Sequence, residues 1–275
     1  MNRPVYLDYH ATTPVDPRVL EAMLPFFTAH FGNPASRQHA YGWEAQEAVE
    51  SARAQVAALI GAARGEIVFT SGASESNNLA IKGTALARRD RGRHIITVAT
   101  EHKSVLDSCK CLERDGWQIT RLGVGADGLV RLDELEAAIT DQTVLVSVMA
   151  ANNEIGVIQP LAEIAAITHR RGALLHSDAA QAAGKIPIDV EAMDVDLMSV
   201  TAHKCYGPKG VGALYIRRTK PKIELACQID GGGHENGLRS GTLNVPGIVG
   251  LGRAAEICHL EMPQESARLA TLRDR

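Results

Sequence analysis

Residues 66–90 read EIVFTSGASESNNLAIKGTALARRD, and this stretch decides the fold. Glu66 to Thr70 is a short β-branched and aromatic run, the pattern of a buried strand. From Ser74 onward the polar and apolar residues alternate at helical spacing. Four small residues, Ser71, Gly72, Ala73 and Ser74, join the two. The same order recurs along the chain. HIITVAT (94–100) precedes KSVLDSCKCLERDG, and QITRL (118–122) precedes LDELEAAI. TVLVSVMA (143–150) precedes LAEIAAITHRRG, and ALLHSDAA, VDLMSVTA and GALYIRR complete the strands. Repeated strand–helix alternation predicts an α/β fold, a mainly parallel sheet with helices on both faces.

In such sheets ligands bind where the carboxyl ends of the strands open into loops. The unusual polar residues lie at five such ends: Ser71–Ser74, His102, Asn152–Glu154, Asp178–Gln181 and Thr201–Lys204. The spacing predicts one pocket that gathers them. In the first loop, small residues let backbone N–H groups approach an anion at a helix N-terminus. Ser74 reads equally well as a plain N-cap. The segment is neither GxGxxG nor a P-loop, which counts against a nucleotide.

Bulk properties narrow the field. The 275 residues are 45% hydrophobic and 22% charged, as in globular proteins with one large or two modest domains. A net charge of -3 leaves no basic excess for nucleic acid or an anionic membrane surface. No apolar run reaches the roughly 20 residues of a membrane helix, and MNRPVYLDYHATTP lacks a signal-peptide core. The five cysteines, Cys109, Cys111, Cys205, Cys227 and Cys258, have neither framework nor zinc-knuckle spacing. Free thiols in a reducing cytoplasm, without a bound metal, are the expectation.

Individual residues then suggest chemistry. Asp178 follows a buried strand, and a buried carboxylate needs a partner. An arginine would serve, and so would a protonated pyridine nitrogen. Lys204, in SVTAHKCYGPKG (199–210), is poorly placed for ordinary solvation. Desolvation would free its amine to attack an aldehyde. An acid and a lysine on neighbouring exits are the pair that pyridoxal phosphate requires, the lysine for a Schiff base and the acid for the ring nitrogen. His102 would stack on a flat cofactor and move protons, or be an ordinary surface histidine. Asn153 and Gln181 offer amides to a phenolic oxygen, with a turn role open for Asn153. GGGHENGLRSGTLN (231–244) marks either a close backbone approach or a flexible loop.

Together, YLDYHATTP, FGNPASRQH, IVFTSGASESNNLAIKG, TEHKSVLD, NNEIGVIQP, HSDAAQAAGKIPID, AHKCYGPKGVGALYIRR and GGGHENGLRSGTLN resemble a cysteine desulfurase. The resemblance is to the iron–sulfur assembly and nitrogen-fixation group of the class V aminotransferase superfamily. It runs from Tyr6 to about Gly252 in order.

The resemblance implies a pyridoxal-phosphate-dependent transferase of fold type I, a homodimer that takes sulfur from L-cysteine and leaves L-alanine. By position, Lys204 matches the Schiff-base lysine, Asp178 the ring-nitrogen partner and His102 the stacked acid–base residue. Ala73, Ser74, Thr201 and His203 match phosphate-binding positions, and Asn153 and Gln181 match ring contacts. Thr242 matches a residue that reaches the phosphate of the neighbouring subunit. An iron–sulfur scaffold or another sulfur acceptor is the implied partner. Residues 1–14 are expected to form an arm belonging to a small domain, 15–252 the large cofactor domain, and 253–275 the start of the small domain. The family's persulfide-forming cysteine and substrate-gripping arginine match nothing before Arg275, so reduced activity of this chain alone is the expectation. Cys205 is expected to point away from the Lys204 amine. Another class V reaction, or a non-catalytic dimerising role, remains the alternative at this point.

Overall fold

The computed structural model describes residues 4–219 and 222–275. Seven strands form one sheet: β1 Ile67–Thr70, β2 His94–Val98, β3 Gln118–Leu122, β4 Thr143–Ser147, β5 Leu174–Asp178, β6 Leu197–Thr201 and β7 Gly212–Ile216. Their order is β1-β7-β6-β5-β4-β2-β3, with β7 antiparallel to both neighbours and the other pairings parallel. All the strands read from the sequence are present, and the mainly parallel character holds.

Among the described residues eight helices surround the sheet: α1 Pro17–Met23, α2 Pro25–Thr28, α3 Ala40–Ile60, α4 Ala73–Arg88, α5 Lys103–Arg114, α6 Leu132–Ala138, α7 Leu161–Arg170 and α8 Val245–Arg273. Alternate strand residues face opposite layers, as the pleat demands. Ile67, Phe69, Ile96, Met198 and Tyr215 pack under α3, α6, α7 and α8. Val68, Ile95, Leu197 and Leu214 pack under α4 and α5. Each fully buried aliphatic side chain contributes about 1.5–3 kcal/mol. The central strands β4, β5, β6 and β7 are buried along their whole length, which is why their sequences run apolar without alternation.

The sheet edge at β1 is not left open. Glu235, from the glycine-rich segment, accepts from the Phe69 N–H at 2.7 Å. It also accepts from Arg53 Nη1 at 2.7 Å and Nη2 at 2.8 Å. Arg53 in turn donates to the Ile67 carbonyl and lies 4.7 Å from the centre of the Phe69 ring. The 231–244 stretch is therefore fastened to the sheet edge, which excludes the flexible-loop reading. A covered edge also cannot pair with another chain.

Candidate active site

The strand exits do converge. A cavity of about 870 Å³ is walled by Ser71–Glu75, His102, Asn153, Glu154, Ala180, Thr201, His203, Lys204, Lys209 and Gly210. Asp8, His10, Ala11 and Thr12 from the N-terminal arm complete the wall.

At the first exit, α4 begins at Ala73, with Gly72 as its N-cap at φ 147°. The Ser74 cap reading is thereby corrected: the cap residue is Gly72, and no side chain caps this helix. The first-turn N–H groups lack intrahelical partners, and a helix N-terminus favours an anion. Glycine is required twice here. Gly72 sits in the left-handed half of backbone space, and a Cβ on Gly212 would lie 2.6 Å from the Gly72 Cα.

Lys204 ends a 3-10 turn, Ala202–Lys204, directly after β6. Burial pushes its amine below the ordinary lysine range, while the nearby Asp178 carboxylate pulls the other way. Cys205 does turn from this cavity. It is buried in an apolar cluster with Val19, Met23, Ala254 and Ile257. The reason is the tight turn rather than strand alternation.

Asp178, the last residue of β5, is buried behind the cavity wall. Its hydrogen-bond partners are neutral. Oδ2 accepts from Asn77 Nδ2 at 2.7 Å, and Oδ1 accepts from the Ala180 N–H at 2.9 Å. The same Asn77 amide donates to Ser104 Oγ at 2.8 Å. Ser104 Oγ lies 2.8 Å from His102 Nδ1, which also accepts from the Ser104 N–H at 3.2 Å. Because the Ser104 N–H donates to Nδ1, that nitrogen is an acceptor, so the neutral ring carries its proton on Nε2 and Ser104 Oγ turns its own proton to Nδ1. A hydrogen-bonded chain joins His102 to Asp178.

Glu101 lies beside this chain and is fully buried. Burial, and secondarily the Asp178 charge, push its carboxyl well above the usual carboxylate range. Oε1 accepts from the Met149 N–H, and the other oxygen has no partner. His203 is held at Thr12, with Nδ1 3.1 Å from the threonine Oγ1. Burial and the neighbouring Lys204 lower its pKa.

Besides Asp178, which lies behind the wall, two of the sequence-selected residues stand apart from it. Gln181 donates from Nε2 to the His10 carbonyl at 2.9 Å and accepts from Lys185 Nζ at 2.8 Å. Both ends of its amide are engaged, and it steadies the arm. Thr242 is exposed outside the cavity. Sequence reading missed Asn77, Ser104, Glu101 and the arm's place in the cavity wall. Asn77 left one signal, an Asn-Asn pair inside a helix, where asparagine has low propensity.

The pocket's residues fit pyridoxal phosphate: an uncapped helix N-terminus, a desolvated amine and a carboxylate hydrogen-bonded by neutral donors only. Residues 5–275 match the family model described as aminotransferase class-V. The chain belongs to that family.

Finer comparisons agree. A cysteine desulfurase IscS from Anaeromyxobacter dehalogenans is 59% identical over 275 residues, all of this chain and 68% of the relative. A cysteine desulfurase IscS from Rickettsia rickettsii is 58% identical over 99% of this chain and 66% of its own length. A solved NifS-like protein superposes with a TM-score of 0.94 at 45% identity, covering 99% of this chain and 74% of that one. A structure of SspA in complex with cysteine gives 0.88 at 46% identity, covering 92% and 72%. Within the class V family, the chain belongs to the cysteine desulfurases. It spans about two thirds of the length of these relatives.

Proposed function

We propose that the cavity holds pyridoxal 5′-phosphate and that the protein removes sulfur from L-cysteine, leaving L-alanine. One observation carries the reading. Asp178 ends β5 behind the cavity wall, and Lys204 ends the turn after the adjacent strand β6 on that wall, the amine desolvated and the carboxylate hydrogen-bonded by neutral donors. The bound group supplies an electron sink that acidifies the α-hydrogen of an amino acid.

The chain's own residues divide the remaining work. Lys204 Nζ would hold the cofactor and would serve as the base that takes the α-proton from the substrate. Asp178, steadied by Asn77, keeps the ring nitrogen protonated. The first-turn N–H groups at Ala73 and Ser74, with Thr201 and His203, bind phosphate. Asn153 reaches a ring substituent, and Gln181 holds the arm that closes the wall. His102, with its Nε2 proton fixed by Ser104, stacks on the ring and hands a proton to or from the substrate sulfur. Such proton transfers contribute on the order of a hundredfold each.

No cysteine among the described residues lines the cavity, so the thiol that accepts sulfur comes from elsewhere. From it sulfur would pass to an iron–sulfur scaffold or another acceptor. We assign residues 15–252 to the cofactor domain, flanked by the arm (1–14) and the start of a small domain (253–275). A homodimer suits the exposed Phe27, Phe31, Tyr41 and Trp43, each more than half accessible. In that dimer Thr242 reaches the partner's phosphate. Free thiols suit a cytoplasmic setting.

The test supplies pyridoxal phosphate, L-cysteine and dithiothreitol to the purified protein. With dithiothreitol standing in for the accepting thiol, alanine and sulfide are expected in equal amounts at a low rate. A keto acid without alanine would replace this reading with transamination.

A further inference from the structure

Behind the turn that carries Lys204 lies a second cavity, of about 460 Å³, and both Cys205 and Cys258 line it. Cys205 follows the turn, and Cys258 projects from α8. Cys258 Sγ donates to the Cys205 carbonyl at 3.8 Å, and Cys205 Sγ donates to the Ala202 carbonyl at 3.2 Å. Gly184 makes their meeting possible. A Cβ there would lie 2.9 Å from Cys258 Sγ and 3.2 Å from the β-carbons of both cysteines. Any larger residue would drive the pair apart.

The two sulfurs are unequally placed. Cys205 is 4% exposed, whereas Cys258 is half-buried on the cavity wall. A more accessible sulfur beside a buried one is the arrangement of an attacking and a resolving cysteine. The cleavage chemistry proposed above uses neither.

We propose that Cys205 and Cys258 form a peroxide-reactive site that closes to a disulfide. The Cys258 thiolate attacks a hydroperoxide oxygen, the O–O bond breaks, and the departing oxygen takes a proton to leave as water or alcohol. Cys258 is left as a sulfenic acid. Cys205 sulfur then displaces the sulfenic oxygen, which takes the thiol proton and leaves as water. Two thiols give up two electrons, and the peroxide is reduced by two. The bridge ties the turn that ends in Lys204 to α8.

The experiment treats the purified protein with hydrogen peroxide, blocks free thiols under denaturing conditions, and digests without reduction. Mass spectrometry should find a Cys205–Cys258 cross-linked peptide that dithiothreitol releases. Alkylatable thiols should fall from the five free cysteines to three. Cys258→Ser should abolish the cross-link. If Cys205 and Cys258 stay alkylatable while Cys111 or Cys227 oxidises, or if Cys258 bridges to another cysteine, the proposal fails. The wild-type measurement decides the matter even if a variant folds poorly. Because it reads thiols alone, its outcome is independent of cofactor binding in the first cavity.

Discussion

Asn77 Nδ2 donates to Asp178 Oδ2 at 2.7 Å, and through this bond α4 holds the carboxylate at the end of β5. Hydrogen bonds to a charged group are worth about 1.5–3 kcal/mol. Asn77→Ala should therefore weaken pyridoxal phosphate binding roughly 10- to 100-fold. A fluorescence titration of the apoprotein measures it. Unchanged affinity would show that Asp178 needs no such support.

Lys204 is the amine expected to join the cofactor. Borohydride reduction of the loaded protein should leave the label on Lys204, and Lys204→Ala should remove it. Lys185 is the control, since it is also buried and its pKa is also lowered, by burial first and by Lys204 second. Label recovered on Lys185 would overturn the assignment. Since burial lowers the Lys204 pKa, attachment should already proceed near neutral pH, faster than at a surface lysine.

The buried Arg53–Glu235 pair fastens the glycine-rich segment to β1. Glu235→Ala leaves both Arg53 Nη groups without their carboxylate, with only Nε still held by Glu50, and the Phe69 N–H without its acceptor. Breaking one partner of such a pair costs about 3–5 kcal/mol. Urea denaturation should show a loss of that size, and a loss below 1 kcal/mol would contradict the edge-fastening role.

His176 is fully buried between Ser147 Oγ and Ser199 Oγ, and burial lowers its pKa from 6.5 to about 4. The unfolded chain takes up a proton near 6.5 that the folded protein refuses until about 4. Its contribution is therefore present above pH 6.5 and lost as pH falls toward 4, by on the order of 3 kcal/mol. Stability measured across that window should fall less steeply in His176→Gln.

The strands were legible because a buried parallel sheet writes itself as short β-branched runs, and the exits carried the residues that do not belong in such runs. Asp178 and Lys204 stood out because a charge beside an apolar strand demands a reason. Glu235 and Glu101 did not. Each looks like a solvated acid in its own stretch, and only tertiary contact with Arg53, Phe69 or Met149 reveals its burial. Gln181 was legible as a polar residue near Asp178. That its amide is spent on the His10 carbonyl depends on a partner 171 positions away. The cap at Gly72 was misread because sequence favours the hydroxyl of Ser74, whereas the φ of 147° at position 72 selects glycine.

The arm residues at the wall carry one more consequence. Thr13 donates to the His203 carbonyl from both its hydroxyl and its N–H, across 190 positions of sequence. During synthesis the pocket's first-made side must wait, unpartnered, until the lysine turn leaves the ribosome. Capture of the proposed coenzyme would thus come late in the life of each nascent chain.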